Sequence, residues 1–143
     1  MHVEGAEIEA RASIGRGIET KANASYARAV DRAAGRRAVN SPRWTAGGGI
    51  TAPLLNNLLI AAFETRFIGN RRSVHEGGDS DAYLVADANA AWKTPVRGLH
   101  LALKVSNLGD SPYSDPAGEE HLMDTIRQDG RTWLLSAKYS AAR

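Results

Sequence analysis

The chain has 143 residues, 43% of them hydrophobic, and its 18 Lys and Arg against 16 Asp and Glu leave a formal net charge of +2. That length suits one ordinary domain, and so small a net charge argues against nucleic acid as a partner although the pI is near 9.2. No stretch approaches the roughly 18 consecutive apolar residues of a transmembrane helix, which excludes a helical membrane protein but not a barrel whose strands show lipid only alternate side chains.

The chain contains no cysteine, so disulfides and thiolate metal sites are excluded, and an oxidising compartment is permitted without being required. It opens on Met1-His2-Val3-Glu4-Gly5. With no basic segment leading into an apolar run, no signal peptide is read there, and Met1 is expected to be a false or internal start.

Apolar residues recur with a period of two between Gly-, Pro- and Asn-rich breaks, which predicts strands. Ile8, Ala10, Ala12 and Ile14 alternate with Glu7, Glu9, Arg11 and Ser13; a tight turn at Gly15-Arg16-Gly17 leads to Ala22, Ala24 and Tyr26 against Glu19, Lys21, Asn23 and Ser25. Residues 30–41 are expected to be a long polar loop, ended by Asn40-Ser41-Pro42. A strand over 43–52 follows, in which Gly47-Gly48-Gly49 suggests a bulge or a close backbone approach. After a short turn at residues 53–57, Leu59, Ala61, Phe63, Thr65 and Phe67 face one way while Glu64 and Arg66 face the other. A second polar loop spans 70–81. Beyond it Leu84, Ala86, Ala88, Ala90 and Trp92 oppose Tyr83, Asp87, Asn89 and Lys93; a turn at 94–98 leads to Leu99, Leu101, Leu103 and Val105 opposite His100, Lys104 and Ser106. The last strand sets Trp133, Leu135, Ala137 and Tyr139 against Thr132, Ser136 and Lys138.

Alanine favours helix, and Glu7 with Arg11 fits an i,i+4 pair. The apolar spacing of two, with glycine breaking every segment, decides for an all-β antiparallel meander of about seven strands. Its connections alternate short, long, short, long, as in outer-membrane barrels with short turns on one side and longer loops on the other. Trp92, Trp133 and Tyr139 stand at strand ends, where interfacial aromatic girdles lie. A sandwich, a soluble barrel and a membrane barrel all tolerate one polar and one apolar face. The apolar face here is alanine-rich, which suits conforming lipid tails better than a core that must interdigitate to native density.

Candidate chemistry is sparse. Glu119-Glu120-His121 with Asp124 and Asp115 has metal-ligating side chains but no spacing of a known metal motif, so neither metal nor cofactor is expected. Gly47-Gly48-Gly49 lacks the Lys-Ser/Thr of a phosphate loop, and no nucleophile or paired catalytic carboxylates emerge, so the chain is not expected to be an enzyme. Arg36-Arg37 and Arg71-Arg72 fall in the loops, where solvated charge pairs are expected; His75 and Glu76 lie beside the second pair.

The last forty residues carry a resemblance. They read Asn107-Leu108-Gly109-Asp110, Tyr113, Asp115-Pro116, Gly118 and His121, then Gln128-Asp129-Gly130-Arg131 before the final strand. This resembles the C-terminal end of the barrel of TonB-dependent outer-membrane receptors, and Asp129-Gly130 is expected to form a turn with positive φ. The resemblance implies that residues 1–143 are the C-terminal part of such a barrel, whose complete form has about 22 strands around a plug. It implies active uptake of a scarce ligand such as a ferric siderophore, with the family coupled to the TonB complex through N-terminal parts. The implied partners are outer-membrane lipid, the plug and the remaining barrel, and a small-molecule or metal-chelate ligand, in the bacterial outer membrane. Glu64, Arg66, Asp87 and Lys104 would face the lumen and touch plug or ligand. Loops 30–41 and 70–81, with Arg36, Arg37, Arg71, Arg72 and His75, would help form the extracellular vestibule. The chain departs from the family pattern at Ala141, where the family carries an aromatic just beyond the tyrosine. A passive porin-like barrel and a soluble β-sandwich binding module are the alternative readings.

Overall fold

The period-two segments are strands in the computed structural model, which describes residues 1–15, 17–33, 35–74 and 78–141. Among the described residues there is no helix. Seven long strands form one antiparallel sheet: β1 His2–Ile14, β2 Ile18–Asp31, β4 Trp44–Leu54, β5 Leu59–Ile68, β6 Tyr83–Lys93, β7 Leu99–Ser106 and β10 Thr132–Tyr139, with the short β3 Arg36–Arg37 paired to the end of β2. Each neighbour follows its predecessor along the chain, a plain meander with β1 and β10 at the edges. The long loop before β10 carries a hairpin of its own, β8 Ser114–Pro116 and β9 Thr125–Arg127.

Over the middle of the seven strands the register keeps the charged side chains on one face; nearer the loop end Glu4 and Arg28, paired across β1 and β2, lie on the other. Glu64 lies opposite Gly49 on one side and Asp87 on the other; Asn89 faces Lys104, and Lys104 faces Leu134. On the reverse face Ala24, Ala46, Phe67 and Leu84 form one continuous row, and Ala61, Ala90, Leu103 and Leu135 another. A slip of one residue in any pair would bury charge among the apolar rows, so the pattern itself holds the register.

This sheet has no core of its own. The buried hydrophobic residues among those described are Ala29, Val85, Val105 and Ala117, while Ile8 (69% exposed), Trp133 (63%) and Leu135 (73%) stand open on the apolar face. A sandwich would cover that face with a second sheet about 10 Å away; here the sheet is a single layer. Strand β4, with 11 residues, is roughly 35 Å long at about 3.3 Å per residue, which at a barrel tilt of about 40° spans the ~25 Å apolar band of an outer-membrane wall.

The ends of the strands differ as the segment lengths predict. Short turns lie at one end: residues 15–17, with Gly17 at φ 82°; residues 55–58, where Leu55, Asn56 and Asn57 all adopt positive φ; and residues 94–98, closed by Gly98 at φ 80°. Arg16 of the first turn lies outside the described residues. Three expectations are corrected. The 30–41 segment is not all loop, because β2 runs on to Asp31 and β3 folds back on it. Pro53 and Leu54 belong to β4 rather than to the turn. Gly47-Gly48-Gly49 makes no bulge, since pairing to β2 and β5 continues unbroken through it.

Candidate functional site

The polar face supplies the first group of candidates. Gly47 and Gly49 lie on it, and their missing side chains leave a gap in β4 that longer neighbours cross. Lys21 on β2 passes over Gly49 to reach Glu64 on β5, with Nζ 2.6 Å from Oε1. A Cβ at Gly49 would stand 3.0 Å from Lys21 Cε and 3.3 Å from Glu64 Cγ, and one at Gly47 would stand 3.0 Å from Asn23 Oδ1. The triple glycine is therefore room for side chains from either flank, not a backbone irregularity. Arg11 pairs with Glu9 on the same face. Asp87 is partly committed, because its Oδ1 accepts the Asn107 N–H at 2.9 Å and so fastens the start of the last loop to β6. Lys104 has no ion-pair partner among the described residues. Arg66 stands nearer the loop end, in a concavity shared with Asn40, Arg71, Tyr83, Tyr113 and Gln128.

The long loops are tied together there. Arg71 is only 8% exposed. Its Nη2 donates to Asp115 Oδ1 at 2.5 Å and to the Ser114 carbonyl at 3.2 Å, its Nη1 reaches Asn40 Oδ1 at 3.4 Å, and its guanidinium lies 5.6 Å from the centre of the Tyr83 ring. Tyr83 packs on Tyr113 with centroids 4.5 Å apart and donates its hydroxyl to Asp115 at 3.3 Å. Arg72 donates to the Arg37 carbonyl at 3.2 Å, and Arg37 lies 3.6 Å from Asp79. Ser73, fully buried, donates to the Asp124 carbonyl at 3.0 Å. A planar guanidinium with five fixed donors suits such a knot. The expectation of solvated arginine pairs thus fails at Arg71 and Arg37, whose side chains hold loops to one another. Arg36 sits in β3 opposite Asp31, and His75 and Glu76 lie outside the described residues.

The motif residues of the last loop have structural work. Asn107 is 4% exposed with φ 50°; its Nδ2 donates to the Ser111 carbonyl at 2.8 Å and its Oδ1 accepts the Ser111 N–H at 3.0 Å. Leu108 N–H donates to the Ala86 carbonyl at 2.7 Å. Asp110, at φ 53°, accepts the Arg131 N–H at 2.7 Å, which brings the end of the loop back to its beginning. Gly130 does not adopt positive φ, so the expected turn at Asp129-Gly130 is absent; what requires glycine is that a Cβ would stand 2.6 Å from Asp110 Oδ1. Pro116 is buried, Gln128 N–H donates to the Tyr113 carbonyl at 3.0 Å, and His121 N–H closes a turn on the Gly118 carbonyl at 3.1 Å. Among the described residues no three His, Asp or Glu side chains converge as a metal group would need.

Sequence reasoning missed the convergence of Asn40, Arg71, Tyr83 and Asp115, which come from three separate loops and a strand start. It also passed over Lys93, His100 and Lys138, which the register sets side by side on the polar face.

Solved structures share this fold. The chain is similar to the ferric citrate transporter FecA in its unliganded form, with 17% identity over 95% of this chain and 24% of that one, at a TM-score of 0.78. It is similar to FpvA of P. aeruginosa bound to pyoverdines (16% identity, 96% of this chain and 19% of that one, TM-score 0.79) and to the copper transporter OprC (20% identity, 97% and 24%, TM-score 0.75). The chain spans between 19% and 24% of the length of these three. No protein-family model and no curated protein matches the sequence. At these identities the likeness shows the fold alone, a segment of an outer-membrane β-barrel.

Proposed function

We propose that the chain is wall of a TonB-dependent outer-membrane receptor, the C-terminal part of its barrel. One observation carries this reading: a single-layer sheet whose register holds a continuous apolar face over the middle of seven strands superimposes along 95% of its length on a chain about four times longer. The apolar face meets lipid, since its backbone is fully paired between the edges, as a bilayer demands. The opposite face, with Glu64, Arg66, Asp87 and Lys104, looks into the lumen toward plug and ligand. The knotted loops at Arg71 form part of the extracellular vestibule, and the turns at 15–17, 55–58 and 94–98 lie on the periplasmic side. The similar structures are a ferric citrate transporter, a siderophore receptor and a copper transporter, which supports a small metal chelate as the ligand of the whole receptor. Uptake would be coupled to the TonB complex through parts outside these strands.

The test uses the tryptophans. Trp44, Trp92 and Trp133 all stand on the apolar face, 55%, 41% and 63% exposed. When the protein is recovered from outer membranes and reconstituted with acyl chains brominated at graded depths, all three are expected to be quenched. A monodisperse, cooperatively melting monomer without detergent, with tryptophans deaf to bromine, would overturn the reading. The genomic frame upstream of Met1 separates receptor from passive porin: plug-coding sequence is expected, and a stop codon followed by a signal peptide would favour the porin.

A further inference from the structure

We propose that the turn end of the polar face on β6, β7 and β10 is a docking surface for an acidic polypeptide segment. It consists of Lys93, His100 and Lys138 around a floor of Ile60, Ala91 and Ala102. The inference rests on the barrel-wall reading for which side of the sheet is the inside, and deepens it by naming the chemistry of the partner.

The register places the basic residues. Lys93 is directly opposite His100, and His100 directly opposite Lys138. Directly opposed side chains have Cβ atoms about 5 Å apart, so the Lys93 and Lys138 ammoniums flank the His100 ring from either side with no carboxylate between them. None of Lys93, His100, Lys104 and Lys138 has an ion-pair partner among the described residues. Elsewhere the polar face neutralises itself, with Lys21 on Glu64 and Arg11 on Glu9. On β6, β7 and β10 the sequence supplies one carboxylate, Asp87, against Lys93, Lys104 and Lys138, and Asp87 is turned to the Asn107 amide. On these three strands lysines therefore outnumber carboxylates three to one.

The surroundings favour a polypeptide over other anions. Ile60, 41% exposed, lies opposite Ala91, and Ala91 opposite Ala102, so a smooth apolar floor borders the cations. Free inorganic anions gain nothing from such a floor, whereas a segment alternating carboxylates with apolar side chains covers both. Lipid headgroups are disfavoured by position, because Trp92, Leu101 and Tyr139 hold the opposite face at this level. Lysine ammoniums, compact point charges on flexible stems, donate to carboxylates singly and without fixed orientation.

Zero-length cross-linking tests this directly. A water-soluble carbodiimide joins a lysine Nζ to a touching carboxylate as an amide, taking up the water itself. It is applied to outer membranes isolated from cells that make the protein, followed by mass spectrometry of the peptides. Lys21 and Glu64 provide the internal control. The expected result is that control link together with Lys93 and Lys138 each joined to an Asp- or Glu-rich peptide from outside the seven strands. Lys93→Gln with Lys138→Gln is expected to lose the second link and keep the first. If the control forms in outer membranes while Lys93 and Lys138 stay unlinked, or carry only lipid, the docking proposal is overturned and the wall reading stands. A chain absent from outer membranes, or one lacking the control link, overturns both.

Discussion

Arg71→Ala should loosen two loops at once while leaving the wall intact. Breaking a buried ion pair by deleting one partner costs about 3–5 kcal/mol. Arg71 qualifies as buried, but the Asp115 side chain is 37% exposed, so the freed carboxylate can rehydrate and still accepts from Tyr83 at 3.3 Å. That lowers the ionic part to about 1.5–2 kcal/mol, in the range of a hydrogen bond to a charged group. Loss of the cation over Tyr83 adds about 0.5–1 kcal/mol. The total of about 2–3 kcal/mol corresponds to a roughly 30- to 150-fold rise in the loop-opening equilibrium.

Hydrogen exchange in micelles reads that equilibrium locally. The amides to follow are Ser80, bonded to the Arg71 carbonyl at 2.9 Å, and Gln128, bonded to the Tyr113 carbonyl at 3.0 Å. Both should exchange faster by that factor, with the mid-strand amides of Ala62 and Ala88 unchanged. Arg71→Lys keeps the charge but not the fork, and should recover less than half of the lost protection. Unchanged exchange at Ser80 and Gln128 would refute the knot, and equal acceleration in the mid-strands would show that Arg71 supports the whole sheet instead.

Asn107→Ala removes two side-chain hydrogen bonds and puts alanine at φ 50°; a loss of about 2–4 kcal/mol is expected in denaturant unfolding. Asn107→Gly should be the milder by about 1 kcal/mol, and equal losses would show that the backbone there is unstrained. Gly49→Leu fills the gap that Lys21 crosses, and because both side chains of that pair are more than half exposed, it should cost under about 1 kcal/mol yet abolish the Lys21–Glu64 amide. Ala88→Arg and Asn89→Arg sit on adjacent residues of β6 but on opposite faces. The first should cost about 2–4 kcal/mol in bilayers and the second almost nothing, and equal costs would contradict the assignment of faces.

What was legible in the sequence and what was not divide along interaction range. The strands and their faces follow from a period of two, a property of adjacent residues, so Glu64, Asp87 and Lys104 could be set on one side before any pairing was known. Gly47-Gly48-Gly49 misled because its cause lies off the strand: Lys21 belongs to β2 and Glu64 to β5, and only the register brings them together. The same holds for Arg71 and Asp115, 44 positions apart. A charged pair in a polar loop is by local criteria a solvated pair, and burial becomes visible only once three loops converge. Gly130 shows the subtler failure. Local turn chemistry correctly marked a position that needs glycine, but the requirement comes from the Asp110 carboxylate, which reaches the far end of a loop it also begins.

The direction of the edges limits what can complete this wall. Seven strands joined by antiparallel pairs alternate in direction, so β1 and β10 run the same way. A ring in a bilayer leaves no backbone group unpaired, and bacterial barrels close with an even number of antiparallel strands. Two copies of this sheet inserted in the same orientation would bring β10 against β1 in parallel, a pairing that an antiparallel meander does not otherwise use. Copies that keep their long loops on one side of the membrane therefore cannot seal the wall in its own pattern. On the proposed reading, the closing segment contributes an odd number of strands, whose first and last both run opposite to β1 and β10. Such a segment pairs both edges antiparallel and continues the apolar face around the ring.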